Sequence, residues 1–147
     1  MMTTTTMTMT AKAARPGAPR HVLLIDDEPH LAAVIQAQLA GVYGELVLHA
    51  ARDGSRGFDL ARSILPNLIL LDYQMPGLDG FETLRQLRTD ARTAPIPIVT
   101  ISGAIPTRGR CAEMIARTDA HLSKPFTFDR LARVLARFFP SGAVAWG

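Results

Sequence analysis

Apolar residues along this chain follow two alternating rhythms, short unbroken runs and stretches spaced by three or four, and the alternation predicts the elements. His21 to Ile25 (HVLLI) is a run of strand type, stopped by Asp26-Asp27-Glu28-Pro29. Pro29 suits a first helical turn, and Leu31, Val34, Ile35 and Leu39 follow at helical spacing until Gly41 and Gly44 punctuate the end. Leu46 to Ala50 (LVLHA) is a second strand. Asp53-Gly54 then opens a helix carrying Phe58, Ala61, Ile64 and Leu65, which Pro66 ends. Leu68 to Leu71 (LILL) is the almost wholly apolar run of a central strand buried on both faces. After the loop DYQMPGLDG, Asp79 is placed to cap a helix whose Phe81, Leu84 and Leu87 face the core. Ile96 to Ile101 makes a fourth strand, a helix runs from about Pro106 to Arg117, and Ala120 to Ser123 makes a short fifth strand. Leu131, Val134, Leu135 and Phe138 mark one stripe of a last amphipathic helix.

Five strand–helix pairs in strict alternation predict an α/β fold, a doubly wound parallel sheet with helices on both faces. Right-handed crossovers favour the flavodoxin-like strand order 2-1-3-4-5. The expected organisation is a Thr-rich leader over 1–19, one domain over 20–139, and a short tail over 140–147 after a proline stop. With 147 residues, 48% hydrophobic and 20% charged, the chain has the balance of a globular protein with a proper core. No apolar run is long enough for a bilayer, so no membrane association is expected. The start lacks the continuous apolar stretch of a secretory signal. The single Cys111 excludes an internal disulfide and a Cys-rich zinc site, which suits a reducing cytoplasm, and no local pattern prepares it as a nucleophile. The formal charge of +3 comes almost entirely from arginine, but no nucleic-acid-binding motif accompanies it, so no direct nucleic-acid contact is expected.

In such a sheet, ligands sit beyond the carboxyl ends of the strands. The residues there are Asp26-Asp27 after strand one, Asp72 after strand three, Ser102-Gly103 after strand four and Lys124-Pro125 after strand five. Taken singly, each aspartate would serve as a helix cap, Ser102 as a turn residue and Lys124 as a surface charge. Their joint placement argues otherwise. Three clustered carboxylates repel one another unless a cation enters, and hard oxygen ligands without Cys or His select Mg²⁺ or a similar ion. A site that holds Mg²⁺ and leaves one carboxylate to attack suits phosphoryl transfer, with Lys124 offsetting charge.

The segments VLLIDDE (Val22 to Glu28), LILLDYQMPGLDGFE (Leu68 to Glu82), PIVTISGA (Pro97 to Ala104) and HLSKPF (His121 to Phe126) carry a specific pattern. From about Arg20 to Phe139 the sequence resembles a bacterial two-component response-regulator receiver domain, of the single-domain, chemotaxis-regulator type. The resemblance implies that Asp72 is the phosphorylated aspartate and that Asp27 binds Mg²⁺, with Asp26 directly or through water and the Gln74 carbonyl as a further ligand. It implies that Ser102 hydrogen-bonds the phosphoryl group, that Lys124 pairs with it, and that the Lys124–Pro125 peptide is cis. Gln74 and Ala104 stand where the family tends to control water access to the acyl phosphate. Two departures stand out. His121 replaces the usual Tyr or Phe before the lysine, leaving open whether it is a smaller gate or an exposed residue. Arg117-Thr118 replaces the usual Gly-Ala, so helix four would lack its glycine stop.

The implied partners are a histidine kinase or histidine phosphotransfer protein upstream, and a downstream effector that meets the helix 4–strand 5–helix 5 face. Arg108, Arg110, Arg117, Arg130, Arg133 and Arg137 there suggest an acidic partner. No catalysis is expected beyond the chain's own phosphorylation and dephosphorylation. A phosphatase using an aspartate nucleophile would need a second aspartate where Gln74 stands. A degenerate receiver acting as a phosphorylation-independent scaffold, or a phosphate sink for a kinase, are the alternatives.

Overall fold

The computed structural model describes residues 19–40, 45–75, 77–104 and 107–139. The expected leader and tail lie outside these residues, apart from Pro19, as do Gly41, Gly44 and the Pro106 start of the fourth helix. The elements are β1 (Arg20–Ile25), α1 (Leu31–Ala40), β2 (Leu46–Ala51), α2 (Gly54–Ile64), β3 (Leu68–Asp72), α3 (Gly80–Thr89), β4 (Ile98–Ser102), α4 (Gly109–Ala116), β5 (Ala120–Ser123) and α5 (Phe128–Phe138). The strands form one parallel sheet in the order β2-β1-β3-β4-β5, as the alternation predicts.

Period-2 alternation of side chains divides the core between the two faces of the sheet. Val22, Leu24, Leu68, Leu70, Val99 and Ile101 pack with Ile35 and Leu39 of α1 and with Leu131 and Leu135 of α5. Leu23, Ile25, Ile69, Leu71 and Ile98 pack on the other face with Ala61, Phe81, Leu84, Leu87 and Met114, from α2, α3 and α4. The central strand β3 is buried at every position. That is why its sequence reads as a continuous apolar run, and why Leu70→Ala would cost about 2–5 kcal/mol. Gly57 lets α2 approach β1, since a Cβ there would come within 2.6 Å of Ile25 Cδ1.

Two of the caps, Asp53 and Asp79, stand where the sequence reading put helix starts, and Thr127 adds a third. Asp53, Asp79 and Thr127 accept the backbone N–H of Arg56, Glu82 and Arg130, at 2.8, 2.9 and 3.2 Å. Three details differ from the sequence reading. Val34, which shares the helical spacing of α1, is 49% exposed, because Ile35 and Leu39 already fill the sheet-facing side. Strand β4 runs two residues later than the apolar run suggested, because Pro97 lacks the N–H a ladder needs. Helix α4 ends at Ala116 without a glycine: Arg117 keeps an ordinary φ of −105° and its N–H bonds the Met114 carbonyl at 3.0 Å.

Candidate functional site

Backbone pairing continues past the apolar parts of the strands and fixes the polar residues beyond them. Asp26 N–H bonds the Ala51 carbonyl at 3.0 Å, Tyr73 N–H bonds Ile101 at 2.9 Å, and Lys124 N–H bonds Ser102 at 2.8 Å. Asp72 is itself the last residue of β3, level with Ile101. Asp26 and Asp72 are therefore buried at 4% and 3% exposure, while Asp27 faces solvent. Asp26, Asp27 and Asp72 each offer a carboxylate oxygen, and these three atoms lie within 4.8 Å of one another. The Lys124–Pro125 peptide is cis.

Lys124 spans the cluster. Its Nζ lies 2.8 Å from Asp26 Oδ2, 3.7 Å from Asp72 Oδ2 and 3.9 Å from Glu28 Oε1. The Asp26 contact is a charge contact of poor direction, so buried Oδ2 lacks a well-aligned hydrogen bond. The other oxygen, Oδ1, accepts the Glu28 N–H at 2.8 Å. Asp72 Oδ1 accepts the Gln74 N–H at a long 3.3 Å, and the Gln74 side chain is exposed.

These surroundings set the charges. Burial, then the Asp26 carboxylate, push the Asp72 carboxyl up from 3.8 to about 7; Lys124 and the Gln74 N–H oppose the rise, and Asp27 adds to it. Burial acts to lower the Lys124 ammonium, but its close contact with Asp26 and the charges of Asp72, Asp26 and Glu28 hold it above its ordinary value. Asp72 is thus reluctant to ionise first because it is buried and then because Asp26 crowds it, and the one ammonium beside both does not offset this.

A divalent cation with hard oxygen preference fits this donor set. The three carboxylates converge, no thiol or imidazole competes among them, and Asp26 Oδ2 is a buried acceptor without a directional donor. Solvent reaches Asp27 through an open groove of about 820 Å³ whose lining includes Arg52, Arg56 and Leu78.

Ser102 is fully buried at the end of β4, and its hydroxyl bonds to neighbours other than the carboxylates. Its Oγ accepts the Ala104 N–H at 2.8 Å and the Cys111 thiol at 3.4 Å. His121 is half-buried on β5, where Nε2 meets Ser123 Oγ at 3.1 Å, and burial followed by the charge of Arg130 lowers its pKa. Sequence reasoning missed two participants. Glu28 adds charge near Lys124, and its place directly after the acidic pair was the available signal. Cys111 is buried, and only its contact in the fold ties it to Ser102.

The profile of the response regulator receiver domain matches residues 22–136. The chain belongs to that family. It is 34% identical over 117 residues to response regulator Rre1 of Synechocystis sp., covering 80% of this chain and 50% of that protein. It is 35% identical over 116 residues to the DNA-binding dual master transcriptional regulator RpaA of the same organism, covering 78% of this chain and 47% of that protein. The receiver domain thus spans about half the length of these relatives. Among solved structures, the receiver domain of sensor histidine kinase PA1611 from Pseudomonas aeruginosa, with a magnesium ion in its active-site cleft, superposes with a TM-score of 0.73 at 28% identity. That match covers 84% of this chain and all of the other, 100%. Chemotaxis protein CheY4 of Vibrio cholerae shares the fold, with a TM-score of 0.72 at 22% identity, over 82% of this chain and 99% of that one.

Proposed function

We propose that this receiver domain accepts a phosphoryl group on Asp72 from a phosphohistidine of a kinase or phosphotransfer protein, and signals by changing its protein contacts. The observation that carries the proposal is the placement of Asp72: last residue of β3, clustered with Asp26 and Asp27, and 3.7 Å from the Lys124 ammonium. In the transfer, an Asp72 carboxylate oxygen forms the new bond to phosphorus while the phosphorus–nitrogen bond of the donor breaks, and the imidazole leaves with the bonding pair. Asp26, Asp27, Asp72 and the Gln74 carbonyl are the residues assigned to hold Mg²⁺. Bound there, the ion supplies positive charge to the phosphoryl oxygens and keeps Asp72 ionised at neutral pH.

The chain's own groups do the rest. Lys124, tethered between Asp26 and Asp72, is within a side-chain reorientation of the incoming phosphoryl group. The Ser102 hydroxyl leaves its resting acceptor position and donates to a phosphoryl oxygen. Loop and helix positions beyond Ser102 shift with it, and the surface of α4, β5 and α5 changes its preferred partner by population shift. Part of the basic surface is already engaged within the molecule: Arg110 pairs with Glu82 at 3.3 Å, Arg117 with Glu113 at 3.9 Å, and Arg137 donates to the Asp119 carbonyl at 3.3 Å. Arg108, Arg130 and Arg133 are exposed and are the ones we assign to an acidic effector. A reducing cytoplasm is the compartment assigned to these events.

Incubation with Mg²⁺ and acetyl phosphate, read by intact mass, tests the proposal. One phosphate adduct on the wild type and none on Asp72→Ala is expected. No adduct on the wild type, or an undiminished one on Asp72→Ala, overturns it.

A further inference from the structure

The hydrogen bonds of Ser102 Oγ go to Ala104 and Cys111, and the second of them crosses to another element. The Ala104 N–H that reaches Ser102 Oγ at 2.8 Å belongs to the same loop. The Cys111 thiol that reaches it at 3.4 Å belongs to the first turns of α4. Both partners are buried, with Cys111 at 2% exposure and Ser102 at 0%. His121, at the position where the family carries its aromatic ring, makes its hydrogen bond to Ser123 and not to Ser102.

Among the described residues, the amino-terminal end of α4 has few other polar restraints. Arg108 caps it without a side-chain hydrogen bond. Gly109 takes a positive φ of 59°, with open space around a would-be Cβ. Toward α3, α4 is held by Arg110, which pairs with Glu82 at 3.3 Å and lies 4.4 Å from the centroid of Phe81. Facing the sheet, Cys111 and Met114 are the buried residues of the helix.

We infer that Cys111 is a positioning residue for phosphorylation: its thiol holds the Ser102 hydroxyl in the resting orientation and couples the departure of that hydroxyl to α4. The inference rests on the reading of Asp72 as phosphoacceptor and of Ser102 as a phosphoryl ligand. A hydroxyl can accept and donate at once, so the contact is lost only when the Ser102 side chain rotates to bring Oγ to the phosphoryl oxygen, and that rotation is part of the inference. The thiol then loses that acceptor while still buried, which favours a shift of the α4 turn that carries it. In this chain the route from the loop to α4 is therefore a direct side-chain contact and does not require the ring at position 121.

A double-mutant cycle separates this role from packing. Removal of the thiol in Cys111→Ala lowers the cost of turning Ser102, so phosphorylation by acetyl phosphate with Mg²⁺ should speed up about two- to fivefold. In a Ser102→Ala background the same change at 111 should have no effect on the rate, although any packing loss would persist in both. An equal change in both backgrounds, or no change in the wild-type background, overturns the inference.

A second measurement needs no phosphate. In metal-free protein, Ser102→Ala should raise the rate at which Cys111 reacts with a thiol reagent by about threefold or more, because the hydroxyl no longer holds it. An unaltered rate also overturns the inference. Intact mass keeps the two readings apart: a wild type that takes up phosphate while either test fails leaves the proposed function standing and removes Cys111 from it.

Discussion

At the amino-terminal end of β4, Asp119 Oδ2 accepts the Ile98 N–H at 2.8 Å and Arg88 Nη2 at 3.1 Å, and Asp119 N–H returns a bond to the Ile98 carbonyl at 2.8 Å. Arg88 in turn donates to the carbonyls of Ala94 and Ile96 at 3.0 and 2.8 Å. At the carboxyl-terminal end of the same sheet, Asp26 and Asp72 are almost fully buried, crowd one another and share a single ammonium. One aspartate has every contact that its charge requires, and the other two do not. The contrast separates an acid that holds the fold from acids kept ready for a reaction: unmet charge on a rigid strand end is what a metal ion and a phosphoryl group can use.

The comparison breaks most visibly at Asp119. Asp119→Ala strands the Ile98 N–H and the Arg88 guanidinium and should lower stability by about 2–3 kcal/mol in urea unfolding, with the phosphate adduct still formed. An adduct lost along with stability would join the two ends. Asp72→Asn should act in the opposite direction. Because the folded Asp72 pKa lies at about 7, above the ordinary 3.8, its contribution to stability is present below 3.8 and lost as pH rises through 7. In metal-free protein at pH 8, Asp72→Asn should therefore be more stable than wild type by about 2 kcal/mol, with the gap closing toward pH 4. A destabilised Asp72→Asn at pH 8 would mean that its charge is already satisfied.

The same raised pKa sets the pH dependence of the ion. Mg²⁺ must displace a proton from Asp72 below about pH 7, so affinity measured by calorimetry should weaken about tenfold from pH 8 to pH 6. A flat profile would place the acceptor outside the crowded cluster. The finest distinction lies among aspartates near the site. Asp79, which accepts the Glu82 N–H at 2.9 Å, is a cap, and Asp79→Ala should cost about 1 kcal/mol, against the gain expected at Asp72.

Most of the fold was legible because its determinants are local or periodic. The run LILL declares a doubly buried strand, and Asp53 and Asp79 stand where caps must stand. The site was legible as placement, since Asp26, Asp27, Asp72 and Lys124 follow strands whose ends a parallel sheet gathers on one edge. Orientation was not legible. Nothing in the sequence indicates that the Ser102 hydroxyl meets Cys111, because that contact joins the end of one element, β4, to another, α4. Likewise Val34 shares the period of Ile35 and Leu39 but lies at the edge of the apolar arc, where only packing decides its exposure.

Gly80 closes the loop that begins at Asp72. Its N–H bonds the Tyr73 carbonyl at 3.0 Å, and a Cβ there would collide with the Asp72 carbonyl and sit 2.7 Å from Tyr73 Cα. The two ends of the loop are thus stapled backbone to backbone right after Asp72, while Gln74 and Gly77 are exposed. For evolution or for an engineer, this leaves position 74 open to change, while Met75 is anchored in the core. Any side chain at position 80, by contrast, would displace the backbone of Asp72 and Tyr73.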